Sequence, residues 1–247
     1  MQEHELWITA FFNDHLAGVA NAILGAVGVH ASNPARPWVN YMTMQIAVAL
    51  IIVVLFLYLR SRLSMDRPGK LQHTFEIIYD FLHGQAHEVV GHEGPKYIAF
   101  FGTLFIFILF SNLIGIIPSL ESPTMFPAVT AGCAMAAFLY YNIMGMRAQG
   151  VGKYLAHFAG PMPLLAPLMI PIEIVSHLAR PLSLTIRLYA NMLAGEKVTM
   201  VFLGLTYLVM PALFMGLHVF VSVLQAYVFA LLTMMYVGGA VAHEEEH

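Results

Sequence analysis

Long stretches without charged side chains constrain this chain more than any other feature of its sequence. Residues 198–242 run for 45 positions with His218 as the only acidic or basic side chain, and residues 41–59 and 97–117 carry no charge at all. A helix of about 20 apolar residues crosses the ~30 Å hydrocarbon core of a bilayer. With 59% hydrophobic and 10% charged residues, the chain is predicted to be an all-α polytopic membrane protein.

We predict about five to six membrane helices in a single integral membrane domain over residues 39–242. An external N-terminal segment, residues 1–38, precedes this domain, and a cytoplasmic tail, residues 243–247, follows it. Apolar side chains at helical spacing predict a cytoplasmic amphipathic helix over residues 68–92. The predicted spans, which share long apolar runs, are 41–59, 97–117, 125–146, 163–193 and 198–240.

The positions of the basic residues predict the orientation of the chain. Four of them directly follow the first predicted span, which places that end in the cytoplasm and the N-terminus outside. The acidic start MQEHELW is unlike a cleaved secretory signal. Basic residues form no patch suited to a phosphate backbone, and the single Cys133 lies in an apolar run. Nucleic acid is therefore an unexpected partner, and no disulfide framework is predicted.

Residues 172–196 concentrate ionisable and amide side chains in an otherwise apolar sequence. Their spacings of four and three residues place six positions on one face of a helix. An Arg at the centre of a bilayer costs about 2.5–3.5 kcal/mol on insertion scales, so such a stripe usually marks an ion path or a bound counter-charge. The six positions of this stripe are Glu173, His177, Arg180, Leu184, Arg187 and Asn191.

A second polar stripe follows in the last apolar stretch. His218, Ser222 and Gln225 are spaced four and three residues apart, and Tyr236 falls on the same side three turns later. As one helix, residues 198–242 would extend about 68 Å. The stretch is therefore either two spans broken near Pro211 or one long, strongly tilted helix. A predicted turn at residues 194–195 then lets the two stripes face each other across a hairpin.

The side chains of these stripes differ in the chemistry they can perform. Arg187 stays protonated at every relevant pH, so it is a fixed charge that attracts a carboxylate, for example one on a moving neighbouring subunit. Glu and His side chains can exchange protons near neutral pH once their environments shift them. These relay candidates are Glu173, His177, Glu196 and His218. The alternative is that such groups pair internally, for example Glu196 with Lys197, and only stabilise the fold.

Other polar residues receive simpler interpretations. His87 and His92 lie five residues apart, not the four that a HExxH zinc helix needs, so no metal site is predicted. Ser111 and Asn112 in the second span are suited to hydrogen bonds between helices.

The motif PLSLTIRLYANMLAGE, residues 181–196, resembles the signature of the subunit a family of bacterial rotary ATP synthases. The last helix resembles the same family in His218, the step Leu-Gln-Ala at 224–226, and Tyr236. Further matches are PGKLQ at 68–72 and FIFILFSNLIGIIP at 105–118. The resemblance covers most of the chain from Trp38 to Ala242.

This resemblance implies a non-catalytic stator channel subunit of the bacterial plasma (inner) membrane, packed against a ring of c subunits and joined to the b subunits of the peripheral stalk. It implies no cofactor, because the ATP chemistry lies on other subunits, and H⁺ is the expected ion. Arg187 would face the ring carboxylate, and two offset half-channels would carry protons to and from it. It also favours one long tilted helix over residues 198–242. The residues that match the family's proton path are Arg187, Asn191, Glu196, His218 and Gln225; further candidates for lining it are Glu173, His177, Arg180, Ser183, Ser222, Tyr236, Asn112 and Glu121.

One departure from the family pattern concerns the outer half-channel. Relatives often carry an Asp or Asn just before the position of Val129, where this chain has Phe126, Pro127 and Ala128. We therefore expect Glu196, His218 and Glu121, which lies in the external turn after the second span, to carry more of the outer proton uptake here.

Three other classes of membrane protein were weighed against this interpretation. A secondary transporter would use Arg187 as the counter-charge of an anionic solute, but neither an internal repeat nor paired broken helices is evident in the sequence. An intramembrane hydrolase would need a GxSxG, a HExxH or facing aspartates, which are absent from the sequence. A structural scaffold would not need Arg187 and Asn191 on one stripe.

Overall fold

The computed structural model describes residues 5–26, 33–65, 68–117, 120–157, 166–205 and 209–241. These residues form α-helices and no strand, which confirms the predicted all-α class. Two short 3-10 helices, Gly94–Tyr97 and Pro123–Met125, lie among them. In chain order the α-helices are α1 (Trp7–Ala26), α2 (Asn40–Ser61), α3 (Lys70–Val90), α4 (Ile98–Ile114), α5 (Pro127–Gln149), α6 (Val151–His157), α7 (Ala166–Leu205) and α8 (Val209–Val241).

Four helical segments of the described ranges are long and apolar enough to cross a membrane. α7 is long enough, with 40 residues, but its polar side chains lower its apolar content and it is not among the four. At about 60 Å, α7 fits a bilayer only when strongly tilted. The four segments are Asn40–Ser61, Gly94–Ile114, Pro127–Gln149 and Ala212–Val241.

The predicted turn at residues 194–195 is wrong. α7 continues to Leu205 and α8 begins at Val209, so neither the spans 163–193 and 198–240 nor a single helix over 198–242 is found. Gly195 does not end the helix; it lies within α7 beside the His218 ring, where an added Cβ would make an ordinary contact at 3.5 Å. The chain between the two helices lies outside the described residues, as do residues 1–4, 163–165 and 243–247.

Small side chains bring the central helices together. Ala134 and Ala137 of α5 and Ala230 of α8 have no exposed surface. At Gly145 of α5 an added Cβ would lie 2.7 Å from a ring carbon of Tyr154. Close approach through Ala and Gly is the usual way that membrane helices gain contact area. The small residues of the third predicted span therefore allow α5 to pack closely against its neighbours.

α1 is held to the start of α2 by buried polar contacts. The hydroxyls of Thr9 and Thr43 lie 2.7 Å apart, and the backbone N–H of Leu6 donates to Asn40 Oδ1 at 3.2 Å. Asn40 Nδ2 in turn donates to Glu121 Oε2 at 3.4 Å. The N-terminal segment is thus tied to the loop that follows α4.

Candidate functional site

The two polar stripes face each other along the antiparallel helices α7 and α8. Asn191 Nδ2 donates to Gln225 Oε1 at 2.8 Å. Toward the other end of α8, the guanidinium carbon of Arg180 lies 5.3 Å from the centre of the Tyr236 ring. These contacts confirm the predicted opposition of the stripes, although α7 continues to Leu205, beyond the predicted turn at residues 194–195.

Arg187 lies at the exposed edge of α7. At about 100° per residue, Arg187 projects from the helix axis in a direction about 80° away from that of the buried His177. Arg187 is exposed, whereas the adjacent Leu188 is fully buried. Within the described residues Arg187 makes no hydrogen bond and no ion pair. On the same helix Leu182 and Ile186 also expose 60% and 55% of their surface. A permanent cation therefore lies on an apolar surface that faces outward from this chain.

A first group of polar side chains, the Glu196 cluster, consists of Glu196, His218, Glu121 and Asn40. His218 is 6% exposed and packs against Gly195. Glu196 is half-buried, and Glu121 lies close enough for its charge to act on Glu196. Glu196 Oε2 and His218 Nε2 are buried without a hydrogen-bond partner in the described part of the chain. Buried polar atoms of this kind usually bind water.

A second group, the His177 cluster, lies about 15 Å from Arg187 in the opposite direction along α7. Arg180 Nη2 and Glu173 Oε1 are 3.9 Å apart. His177 Nε2 lies 2.8 Å from Asn142 Oδ1. The other members come from neighbouring helices, and the full cluster is Glu173, His177 and Arg180 of α7, Tyr141 and Asn142 of α5, Tyr154 of α6 and Tyr236 of α8.

An apolar layer separates the two clusters inside the protein. Leu184, Leu188 and Met192 of α7 pack with Phe229 and Met234 of α8, and each exposes 3% of its surface or less. Ions cross such packing only at high cost, since a buried charge without partners is strongly disfavoured. A polar route between the clusters therefore has to pass the outer surface that carries Arg187.

Buried hydroxyls and an amide join α4 to α8 beside the Glu196 cluster. Asn112 Nδ2 donates to the backbone carbonyl of Ser222 at 3.3 Å, and Thr124 Oγ1 donates to Asn112 Oδ1 at 2.6 Å. Ser122 Oγ donates to the Ser111 carbonyl at 2.8 Å. The prediction that Asn112 bonds between helices is confirmed.

The remaining predicted positions contribute less contact. Ser183 is exposed, and Ser222 Oγ lies 4.0 Å from Met192 Sδ. At the departure from the family pattern, the rings of Phe126 and Tyr41 are 5.4 Å apart, while Pro127 is exposed. Sequence reasoning missed Tyr141, Asn142 and Tyr154 of the His177 cluster and Thr124 near the Glu196 cluster. The polar Asn142 inside an apolar span was the one available signal.

The histidines of α3 do not form part of either cluster. The rings of His87 and His92 are 5.5 Å apart. In the described ranges no group of three or more His, Cys, Asp or Glu side chains is arranged to hold a metal ion.

A family model and several similar bacterial proteins carry the same description. The family model described as ATP synthase A chain matches residues 41–238. An ATP synthase subunit a of Solibacter usitatus is 72% identical over 233 residues, covering 94% of this chain and 99% of the relative. Similar proteins of the same description come from Koribacter versatilis, at 47% identity over 97% of this chain and 98% of the relative, and from a Sulfurihydrogenibium species, at 38% over 83% and 99%.

Proposed function

Because this chain belongs to the ATP synthase A chain family, we propose that it is the stator channel subunit that couples proton flow to rotation of a c-subunit ring. Two offset half-channels deliver protons to the ring carboxylates and remove them. The observation that carries this proposal is the position of Arg187, which is exposed on an apolar surface between two polar clusters. The subunit performs no ATP chemistry itself.

Arg187 is the electrostatic divider of the proposed path. An unpaired guanidinium in lipid is costly, so the apolar surface around it needs a partner that brings a carboxylate. A c-ring carboxylate meets this need, because it stays ionised beside Arg187 and takes up a proton before it moves into lipid. Direct passage of protons from one cluster to the other is opposed by the fixed positive charge.

The Glu196 cluster is the proposed outer half-channel. Glu196 and His218 exchange protons there, with Glu121 nearer the outside, and the unpartnered atoms of Glu196 and His218 are sites for water. Asn191 and Gln225 lie between this cluster and Arg187 and hold the helices in register. Ser222 and Asn112 border the path from the α4 side.

The His177 cluster is the proposed inner half-channel. It contains Glu173, His177, Arg180 and Tyr236, and the exposed Ser183 lies between it and Arg187. The basic residues after the first predicted span favour an orientation with the N-terminus outside and the C-terminus in the cytoplasm. Each proton that crosses 100 mV supplies about 2.3 kcal/mol for rotation.

This function takes place in the bacterial plasma membrane, with the c ring and the b subunits of the peripheral stalk as partners. The alternative of an anion transporter is less well supported, because α7 is a continuous helix through Arg187 and offers no half-helix terminus to a solute there.

The test is Arg187→Ala in the complete ATP synthase, assayed in membrane vesicles. We expect passive proton leak and loss of gradient-driven ATP synthesis, because no charge then divides the half-channels. Arg187→Lys should also fail to couple, since a compact ammonium does not reproduce the reach and planar shape of the guanidinium. Arg60→Ala, at the end of α2, is the matched control and should retain synthesis. Normal synthesis by Arg187→Ala would disprove the proposal.

A further inference from the structure

We propose that His177 is a proton-transfer residue on the inner side of Arg187 and that Asn142 and Tyr154 are positioning residues that fix its tautomer. This inference rests on the proposed function and adds a specific acceptor atom, His177 Nδ1, to the inner half-channel. It is carried by the hydrogen-bond geometry of three side chains from three helices.

The orientation of the Asn142 amide is set within α5. Its Nδ2 donates to the backbone carbonyl of Phe138 at 2.7 Å, so its Oδ1 points toward the neighbouring helices. Oδ1 accepts a hydrogen bond from the Tyr154 hydroxyl at 2.8 Å. If Oδ1 and Nδ2 of Asn142 were exchanged, the amide NH₂ would point at the Tyr154 hydroxyl. The amide oxygen would then face the backbone carbonyl oxygen of Phe138, and two acceptors would be in contact. The hydrogen bond to Phe138 therefore identifies which atom His177 meets.

The tautomer of His177 follows from this orientation. Asn142 Oδ1 can only accept, and it lies 2.8 Å from His177 Nε2, so Nε2 carries the hydrogen. In the neutral ring the lone pair then lies on Nδ1. The Tyr141 hydroxyl lies 3.5 Å from Nδ1 and 3.3 Å from Nε2, so it contacts the ring without selecting one nitrogen.

The charges around His177 oppose one another. Glu173 favours a charged imidazolium and Arg180 disfavours it, while these two side chains are 3.9 Å apart and partly cancel. Burial of the ring adds a cost to the charged form, so the imidazolium of the proposed step is short-lived. Among the described residues, the titratable and charged side chains of the cluster around His177 are Glu173 and Arg180 of α7, Tyr141 of α5, Tyr154 of α6 and Tyr236 of α8.

The proposed step conserves the proton and needs no other reactant. Water carrying a proton from the ring carboxylate gives it to Nδ1, which forms an N–H bond and converts His177 to imidazolium. Nδ1 then releases this proton to water or to the Glu173 carboxylate on the cytoplasmic side. The hydrogen on Nε2 stays there and is donated to Asn142 Oδ1 throughout, so the ring does not need to turn over between protons.

The first measurement is the tautomer itself, by ¹⁵N NMR of the membrane-embedded complex with labelled histidine in this subunit. Signals of His177 are those lost in His177→Asn. We expect the neutral ring to carry its proton on Nε2 in the wild type and to become a mixture of tautomers in Asn142→Leu. A wild-type proton on Nδ1, or an unchanged tautomer in Asn142→Leu, would overturn the assignment of Asn142.

The second measurement is gradient-driven ATP synthesis as a function of cytoplasmic pH. His177→Asn should lower the rate about tenfold, and Asn142→Asp should move the midpoint of the profile to higher pH, because its carboxylate stabilises the imidazolium. Tyr154→Phe should lower the rate about twofold through the lost contact to Asn142. Its matched control is Tyr140→Phe, whose ring stacks on Phe100 with centroids 3.7 Å apart.

The outcomes separate this inference from the proposed function. If His177→Asn and Asn142→Asp both retain the wild-type rate and pH profile while Arg187→Ala loses coupling, His177 is not a proton-transfer residue and the channel proposal stands. If Arg187→Ala retains coupling, the channel proposal itself fails.

Discussion

The two polar clusters on either side of Arg187 are built differently. In the Glu196 cluster, two buried polar atoms have no partner within the described residues. In the His177 cluster, His177 Nε2 and the Tyr154 hydroxyl each lie 2.8 Å from Asn142 Oδ1. The first arrangement depends on water to complete its hydrogen bonds, whereas the second completes them with protein groups.

This difference suggests a division of labour between the half-channels. A water-dependent cluster tolerates many proton donors and collects protons from solution, since water can rearrange around Glu196 and His218. A protein-bonded cluster orients one acceptor nitrogen and gives protons a defined exit. The comparison predicts that substitutions alter proton uptake in the Glu196 cluster and the pH dependence of release in the His177 cluster.

Removal of the carboxylic acid from the Glu196 cluster should have the largest effect. Glu196→Gln keeps the size and polarity of the side chain but cannot carry a proton, so we expect gradient-driven ATP synthesis to fall by about 10²-fold. The measurement is synthesis in vesicles at fixed membrane potential. Glu88→Gln, which removes an exposed carboxylate of α3, is the matched control and should stay close to the wild type. Equal rates for Glu196→Gln and the wild type would remove Glu196 from the path.

The apolar layer between the clusters offers a second test. Leu188 has no exposed surface, and Leu188→Ala should destabilise the subunit by about 2–5 kcal/mol through lost contacts and a cavity. If the layer keeps the clusters apart, the cavity should also raise passive proton leak in vesicles while synthesis falls only about twofold. Leu182→Ala, at a position 60% exposed, is the control for a general loss of leucine. Unaltered thermal stability and leak in Leu188→Ala would argue against the layer as a barrier.

The helices were predictable from the sequence because their signals are local. Uncharged runs give α2, α4 and α5, and the spacing of polar residues predicts the facing stripes of α7 and α8. The turn was misplaced because a glycine can end a helix or lie inside one. Gly195 lies inside α7, where it packs beside the His218 ring from a distant part of the chain.

The sequence predicted those functional side chains that lie in a motif or in a stripe at helical spacing. Asn142 and Tyr154 were missed because their hydrogen bonds join α5, α6 and α7, and no sequence spacing encodes that meeting. The exposure of Arg187 was also not evident from its stripe. Six positions at helical spacing share a face, but which edge of that face packs inward depends on α5 and α8.

Glu121 provides the smallest and most specific test of the outer cluster. Glu121→Gln preserves an oxygen that can accept from Asn40 Nδ2, so it removes the charge with little change in shape. Without this neighbouring charge, Glu196 binds protons less readily, and the midpoint of synthesis against external pH should move lower. The rate at neutral pH should fall about twofold.

The control for Glu121 is a change of charge elsewhere on the external segment. Asp14→Asn removes an exposed carboxylate of α1 that takes no part in the contact with Asn40, so it should leave the external pH profile unchanged. If both variants shift the profile equally, the effect is one of general surface charge. If neither shifts it, Glu121 takes no part in proton uptake, and the outer cluster consists of Glu196 and His218 with water alone. A shift in Glu121→Gln only would mean that the external loop extends the water-dependent cluster toward solution.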